Sequence, residues 1–87
     1  GKLWENYCIV ERKKYLQRKK IWARHYFWRS YTGQEIDLIE EIGTATAAYE
    51  FKYKNKEVKT PSGFATAYPD VPFSVISSQK FTDFLLT

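Results

Sequence analysis

Methionine is absent from this chain of 87 residues, and cysteine and histidine occur once each. The lack of methionine, even at position 1, indicates a piece of a longer polypeptide, so the function to be explained is that of a module. The single Cys8 excludes an internal disulfide, which fits a reducing compartment and predicts a cytoplasmic protein. One cysteine and one histidine also cannot fill the four positions of a zinc site.

Long hydrophobic runs are missing as well. No apolar stretch approaches the roughly 20 residues that a membrane-spanning helix needs, and no signal-peptide pattern opens the sequence. We therefore expect no membrane partner. The sequence also contains no ATP-binding motif, no internal repeat and no low-complexity tract, and its length predicts one small domain over residues 1–87.

Positive charge is what the chain has in excess, with a net charge of +4 and a sequence pI of about 9.2. The cations are concentrated between residues 12 and 24, in and just after a predicted helix. A phosphate backbone is one partner for such a run, and a solvated helix face that complements the helix dipole is an equal alternative. The candidate DNA-binding residues are Lys13, Lys14, Arg18, Lys19 and Lys20.

Hydrophobic periodicity predicts a helix from Leu3 to about Lys20, followed by three strands. The helix carries one broad apolar face, composed of Leu3, Trp4, Tyr7, Cys8, Val10, Tyr15 and Leu16. The strands are predicted at His25 to about Tyr31, Glu35 to Glu41 and Ala45 to Tyr53. In the second strand Ile36 and Leu38 alternate with Asp37 and Ile39. Because the three strands are close in sequence, we expect an antiparallel meander.

The remainder of the chain predicts a helix, a strand and a last helix. Pro61 suits the first position of a short helix that ends near Tyr68, with Thr60 as its cap. Phe73 to Ile76 is predicted as a fourth strand joined by a crossover. A terminal helix from Gln79 to Leu86 is predicted to be capped by Ser77 or Ser78. The fold class is therefore α/β.

The candidate chemical site consists of two carboxylates, those of Asp37 and Glu50, and the amine of Lys52. Period-two geometry places Glu50 and Lys52 on one face of the third strand and Phe51 on the other. If the second and third strands pair, Asp37 comes beside Glu50. Such a group suits a hard divalent cation, with a lysine beside the reacting water. An ordinary cross-strand charge cluster at the edge of the sheet is the alternative interpretation.

An aromatic run is the last feature with more than one interpretation. Trp22, Tyr26, Phe27 and Trp28 could stack on bases, pack in the core, or form a surface that docks another part of the polypeptide. A docking role would make the domain a lid or an oligomerisation element.

Four segments carry a resemblance to a known family. They read Gly-Lys-Leu-Trp-Glu-Asn at residues 1–6, Tyr-Phe-Trp-Arg at 26–29, Gly-Gln-Glu-Ile-Asp at 33–37 and Tyr-Glu-Phe-Lys at 49–52. The predicted order of a helix, a three-stranded meander, a helix and a strand, with Asp37 on the second strand and Glu50 and Lys52 on the third, resembles the PD-(D/E)XK, or restriction-endonuclease-like, nuclease superfamily. Within it, the four segments in this order most resemble the uncharacterised C-terminal domain of prokaryotic AAA-type ATPases.

The resemblance implies a restriction-endonuclease-like core and Mg²⁺-dependent hydrolysis of DNA phosphodiester bonds. It implies Asp37, Glu50 and Lys52 as catalytic residues, with Asp37, Glu50 and the helix-borne Glu5 as metal ligands. It also implies the remainder of a parent ATPase as a partner. Phe51 departs from the pattern, because a small aliphatic residue is usual between the glutamate and the lysine. A non-catalytic DNA- or protein-binding module that retains the fold is the alternative function.

Overall fold

The computed structural model describes residues 1–86, and within them the helices and strands follow the order predicted from the sequence. The bounds are α1 Lys2–Arg18, β1 Arg24–Arg29, β2 Glu35–Ile42, β3 Ala45–Phe51, α2 Ser62–Ala67, β4 Phe73–Ile76 and α3 Phe81–Leu86. The prediction of an α/β fold is confirmed. Several ends differ: β3 stops at Phe51 rather than Tyr53, and α3 begins at Phe81 rather than Gln79.

The strands described within residues 1–86 form one mixed sheet in the order β1-β2-β3-β4. β1, β2 and β3 are antiparallel neighbours, whereas β4 runs parallel to β3. A parallel neighbour requires the chain to cross back over the sheet, and the segment that contains α2 makes this crossover. The predicted meander and crossover are therefore confirmed.

A β-bulge in β2 changes which of its residues face each side of the sheet. Tyr26 pairs with Ile39 and Trp28 pairs with Ile36, so a three-residue step on β2 lies opposite a two-residue step on β1. Ile36 and Ile39 consequently pack in one apolar cluster, whereas Leu38 packs in another. The predicted alternation of Ile36 and Leu38 against Ile39 is wrong, because the extra residue of a bulge interrupts the period of two.

Apolar clusters cover both sides of the sheet. The cluster that joins the sheet to α1 and α3 consists of Cys8, Leu38, Phe51, Ile76 and Phe84. The cluster that joins the sheet to α2 consists of Ile36, Ile39, Ala48 and Phe64. Since a chain of this size buries only roughly 60% of its unfolded surface, aromatic rings supply much of the packing area. Phe84 illustrates this by contacting the rings of both Tyr49 and Phe51 edge-on.

α1 packs through a narrower stripe than the sequence predicted. Its buried residues are Cys8, Arg12 and Leu16, spaced four residues apart. Leu3 is 87% exposed, and Tyr7 and Val10 are also exposed, so their assignment to the packed face is wrong. The buried stripe includes the charged residue Arg12 because Arg12 forms an ion pair with Glu40 in the interior. Neither α1 nor another helix within residues 1–86 combines the length and apolarity that crossing a membrane requires.

The start of α2 is held by a distant side chain rather than by the predicted cap. The N-cap position is Pro61, with no side-chain cap, so the prediction of Thr60 as the cap is wrong. Gln34 instead accepts a hydrogen bond from the Gly63 N–H at 2.9 Å and donates one to Ser62 Oγ at 3.0 Å. A long-range contact has replaced a local one, and the sequence carried no sign of it.

The serine residues predicted to cap the terminal helix lie in a turn that precedes it. Ser77 is fully buried, and its hydroxyl makes no hydrogen bond within the described residues. The chain forms a turn there, in which the Lys80 N–H donates to the Ser77 carbonyl at 3.1 Å. α3 therefore starts after this turn, at Phe81, and the prediction of Ser77 or Ser78 as its cap is wrong because neither residue adjoins the start of the helix.

Candidate acidic site at the ends of β2 and β3

Asp37 lies on β2 just beyond the last residue pair that β2 forms with β3, which joins Leu38 to Tyr49. Its Oδ2 accepts a hydrogen bond from the backbone N–H of Phe51 at 2.9 Å. A side-chain oxygen thus occupies the place of a backbone acceptor where the two strands begin to separate. This bond fixes the carboxylate of Asp37 beside β3.

Glu50 and Lys52 flank Phe51 on β3 and at its end. Phe51 is buried in the cluster under α1 and α3, while Glu50 Oε2 lies 3.7 Å from Lys52 Nζ. Burial raises the pKa of Glu50, the negative charge of Asp37 raises it further, and Lys52 opposes both. Asp37, Glu50 and Lys52 are therefore neighbours in the structure.

Glu5 adds a third carboxylate from the first turn of α1. Its pKa is raised first by burial and then by the negative charge of Asp37, with which its side chain is in hydrogen-bonding contact. Lys2 lies close enough to oppose these effects. Asp37 is consequently the common neighbour of two other acids, each of which holds its proton more tightly than an isolated glutamate does.

The carboxylate oxygens of this site are the kind of donor that a hard metal ion needs. Carboxylate oxygens are the ligands that Mg²⁺ prefers, and Mg²⁺ commonly takes one or two of them and completes its shell with water. Within residues 1–86, no group of three or more His, Cys, Asp or Glu side chains is arranged to hold a metal ion. Asp37 and Glu50 thus fit a two-carboxylate site, whereas a set of three with Glu5 is not preformed. The assignment of these residues as metal ligands stays a prediction.

The predicted DNA-binding residues do not meet the acidic site. Lys13, Lys14, Arg18, Lys19 and Lys20 are all exposed. They lie away from the buried stripe of α1, and Lys14 is paired with Glu11 at 3.2 Å. At 1.5 Å per residue, Lys19 is about 21 Å along the helix from Glu5. The cations that do lie near the acids are Lys2 and Lys52.

The aromatic run is divided between interior and surface. Trp28 packs edge-on against Phe64 with ring centroids 5.3 Å apart, so it belongs to the packing under α2. Trp22 is 76% exposed and Phe27 is 63% exposed. Tyr26 is exposed as well, so base stacking and docking remain predictions for these three exposed rings.

Arg12, Glu40 and His25 form a largely buried polar group that was not predicted from the sequence. Arg12 was counted with the basic run, yet it is only 3% exposed. Burial disfavours the charge on Glu40, but hydrogen bonds from Arg12 and His25 outweigh burial and hold the pKa of Glu40 below its ordinary value. The sequence does contain a sign that Arg12 is buried, because Arg12 lies four residues from both Cys8 and Leu16 and therefore on the same face of the helix.

Comparison with known proteins places the chain in a family but gives it no activity. A family model described as "Domain of unknown function (DUF4143)" matches residues 1–83. No curated protein and no solved structure gives a significant match to the chain.

Proposed function

The chain belongs to the DUF4143 family, whose description assigns no activity, and from its acidic site we propose that it is a nuclease-like module that hydrolyses DNA phosphodiester bonds with Mg²⁺. The observation that carries the proposal is the meeting of Asp37, Glu50 and Lys52 where β2 and β3 separate. Two carboxylates can hold a divalent cation, and an amine beside them can stabilise the charge that develops on the phosphate.

Each residue has a part that follows from its position. Asp37 and Glu50 would hold Mg²⁺, with Asp37 oriented by its bond to the Phe51 N–H. When bound there, the ion would supply a water of lowered pKa and would neutralise charge that builds on the phosphate oxygens. Lys52, which pairs with Glu50 at 3.7 Å, orients the attacking water or donates to a phosphate oxygen. Glu5 acts from α1 as a further acid beside Asp37.

The wider setting of the module is part of the same proposal. A helix, an antiparallel meander, a crossover helix and a parallel fourth strand support a restriction-endonuclease-like core. The resemblance to C-terminal domains of AAA-type ATPases supports an ATPase as the covalent partner. The unpaired Cys8, which is buried, supports a cytoplasmic location.

A non-catalytic DNA-binding module is the second candidate. The observation that favours it is the distance between the basic end of α1 and the acidic site, because phosphate contacts at Lys19 and Lys20 need no help from Asp37 or Glu50. Such binding weakens as salt rises, since each phosphate contact releases counterions. It also survives Glu50→Gln and falls on charge reversal at Lys19 and Lys20.

Cleavage assays on the full-length protein separate these candidates. Plasmid, branched and single-stranded DNA are incubated with the protein and Mg²⁺ or Mn²⁺, and the variants Asp37→Asn and Glu50→Gln are compared with Glu35→Gln. Glu35 is the matched control because it is exposed on the same strand and pairs only with the exposed Arg29 among the ion pairs described for residues 1–86. We expect cleavage to fall about a hundredfold or more in the first two variants and to persist in the control.

Two outcomes contradict the nuclease. One is the absence of cleavage by the unmodified protein on every DNA form, and the other is equal cleavage by Asp37→Asn. Retained salt-sensitive DNA binding in that situation favours the second candidate.

A further inference from the structure

A pocket of about 120 Å³ lies on the side of the sheet that α2 covers. Four aromatic rings line it, those of Tyr26, Trp28, Phe64 and Tyr68, and Glu41 lies at the same opening. The pocket is remote from the acidic site, because Glu41 is about 13 Å further along β2 than Asp37. The catalytic proposal makes no use of it.

The aromatic walls are held by contacts with one another. Phe64 is only 3% exposed and forms the floor, with its ring 5.3 Å from that of Trp28 and 5.1 Å from that of Tyr68. Tyr26 and Tyr68 are 41% and 50% exposed, so they form the rim. The Tyr26 hydroxyl donates a hydrogen bond to Glu41 Oε2 at 3.0 Å, which ties the carboxylate to the ring. The pocket therefore has a fixed floor and an open mouth.

The faces of aromatic rings and a carboxylate both attract cations. The face of an aromatic ring is negative, so a cation placed over it is attracted, and the anionic Glu41 adds to that attraction. Within the protein itself, Tyr26 and Glu41 already contact one cation, the guanidinium of Arg24. The guanidinium of Arg24 lies 5.9 Å from the centre of the Tyr26 ring, and its Nε lies 3.6 Å from Glu41 Oε1.

We propose that this pocket binds an organic cation of the alkylammonium or guanidinium class. Its volume is somewhat below the roughly 150 Å³ of a protein cavity that accommodates benzene, so it takes a compact head group rather than an extended molecule. The Arg24 side chain is 65% exposed and is not part of the pocket lining, but it contacts Glu41 and Tyr26 and so competes with the ligand for them. The head group belongs either to a free amine or to an arginine or lysine side chain of another protein.

Titration with small cations tests the proposal directly. Tetramethylammonium and methylguanidinium are added to the isotopically labelled protein, with tert-butanol as the neutral compound of similar shape. The indole proton of Trp28 is the reporter, and that of Trp4, which donates to the Ile76 carbonyl at 3.2 Å, is the internal reference. We expect the chemical shift of the Trp28 indole proton to change saturably as either cation is added, and to change little with tert-butanol.

Substitutions distinguish a pocket that selects cations from one that binds any small apolar compound. Glu41→Gln preserves size while removing the charge, and Tyr68→Leu keeps an apolar side chain while removing the ring face; each should weaken binding about tenfold. Arg24→Gln should strengthen it, because the internal competitor is lost. Tyr31→Leu is the matched control for the ring, since Tyr31 is exposed and outside the pocket.

The outcomes that overturn the proposal are specific. They are an equal response to tert-butanol, or affinity unchanged in Glu41→Gln, with far-ultraviolet circular dichroism showing that each variant is folded. N-acetylarginine amide distinguishes the two sources: tighter binding than methylguanidinium indicates a protein side chain, and weaker binding indicates a free cation.

Discussion

Arg12 on α1 and Glu40 on β2 form a two-point ion pair in the protein interior. Arg12 Nε lies 2.9 Å from Glu40 Oε1, and Nη2 lies 2.8 Å from Oε2. His25 Nε2 lies 2.9 Å from the same Oε1, and Arg12 also donates to the Phe84 carbonyl. One carboxylate thus connects β2 to α1 and β1, and through Arg12 it reaches α3.

Removing one partner of this pair should cost far more stability than removing both. Arg12→Met leaves the carboxylate of Glu40 buried without its main partner, and we expect a loss of about 3–5 kcal/mol in the free energy of unfolding. The double variant Arg12→Met/Glu40→Leu should recover much of that loss, because no uncompensated charge remains. Urea unfolding monitored by fluorescence measures both values.

The control is the surface pair of Lys14 and Glu11, where Lys14→Met should change stability by less than about 1 kcal/mol. A loss of that small size in Arg12→Met would mean that the buried pair does not organise the fold.

Glu40 and Glu50 should respond to acid in opposite directions. The partners of Glu40 hold its pKa below its ordinary 4.5, so its stabilising effect is present above pH 4.5 and is lost as the pH falls through the lower folded-state pKa. Burial and the charge of Asp37 raise the pKa of Glu50 above 4.5. Its contribution is therefore present below pH 4.5 and is lost as the pH rises through the raised pKa.

Isosteric variants measured at several pH values check these signs. At pH 7 we expect Glu50→Gln to be more stable than the unmodified protein, because the repulsion by Asp37 is gone, and Glu40→Gln to be less stable. Both differences should shrink as the pH is lowered, that of Glu50→Gln first. Changes of the same sign in the two variants at pH 7 would refute the assignment.

The end of α1 contains a left-handed residue that is not glycine. Lys20 has φ 59°, and its N–H donates to the Gln17 carbonyl while the Ile21 N–H donates to the Leu16 carbonyl. These two bonds form a Schellman motif, in which glycine is the usual residue at this position. Because a side chain in this conformation costs roughly 1 kcal/mol, Lys20→Gly should stabilise the protein by about that amount.

Lys19→Gly is the matched control, since it removes the same charge one residue earlier. Lys19 has φ −81°, an ordinary helical value, so glycine there should bring no gain and a small loss. Thermal unfolding of the two variants should therefore move in opposite directions.

Local patterns in the sequence predicted most of the fold because most elements obey them. β3 follows a strict period of two, and its buried residues Ala48 and Phe51 lie on opposite sides, as alternation requires. The crossover to β4 could be predicted from a polar connection, a proline and a short apolar run. The neighbourhood of Asp37 and Glu50 followed from the pairing of β2 with β3.

The errors arose where a distant partner decides the local structure. The bulge in β2 depends on its register with β1, so the alternation around Ile36 could not reveal it. Arg12 has the four-residue spacing of the buried stripe, but a charged residue there has no reason to be buried until Glu40 is placed beside it. The start of α2 depends on Gln34, which lies far earlier in the chain. Sequence periodicity describes an element by itself, and these three features belong to pairs of elements.

Mg²⁺ should stabilise the protein through the acidic site, and stability measures this without any substrate. A ligand that binds only the folded state, at ten times its dissociation constant, adds about 1.4 kcal/mol to the free energy of unfolding. For a domain of this size that is a rise of several degrees in the unfolding midpoint. Asp37→Asn and Glu50→Gln should abolish this increment, whatever their own stability without Mg²⁺.

The same experiment decides how many acids take part. Glu35→Gln should retain the full increment, and sodium chloride of equal ionic strength controls for screening by salt. If Glu5→Gln also retains it, Asp37 and Glu50 hold the ion as a pair, in agreement with the absence of a preformed three-ligand group within residues 1–86. If Glu5→Gln abolishes the increment, the carboxylate of Glu5 holds the ion together with Asp37 and Glu50, which its position beside Asp37 allows. An increment that persists in Asp37→Asn would place Mg²⁺ elsewhere and remove the basis for a metal-dependent nuclease.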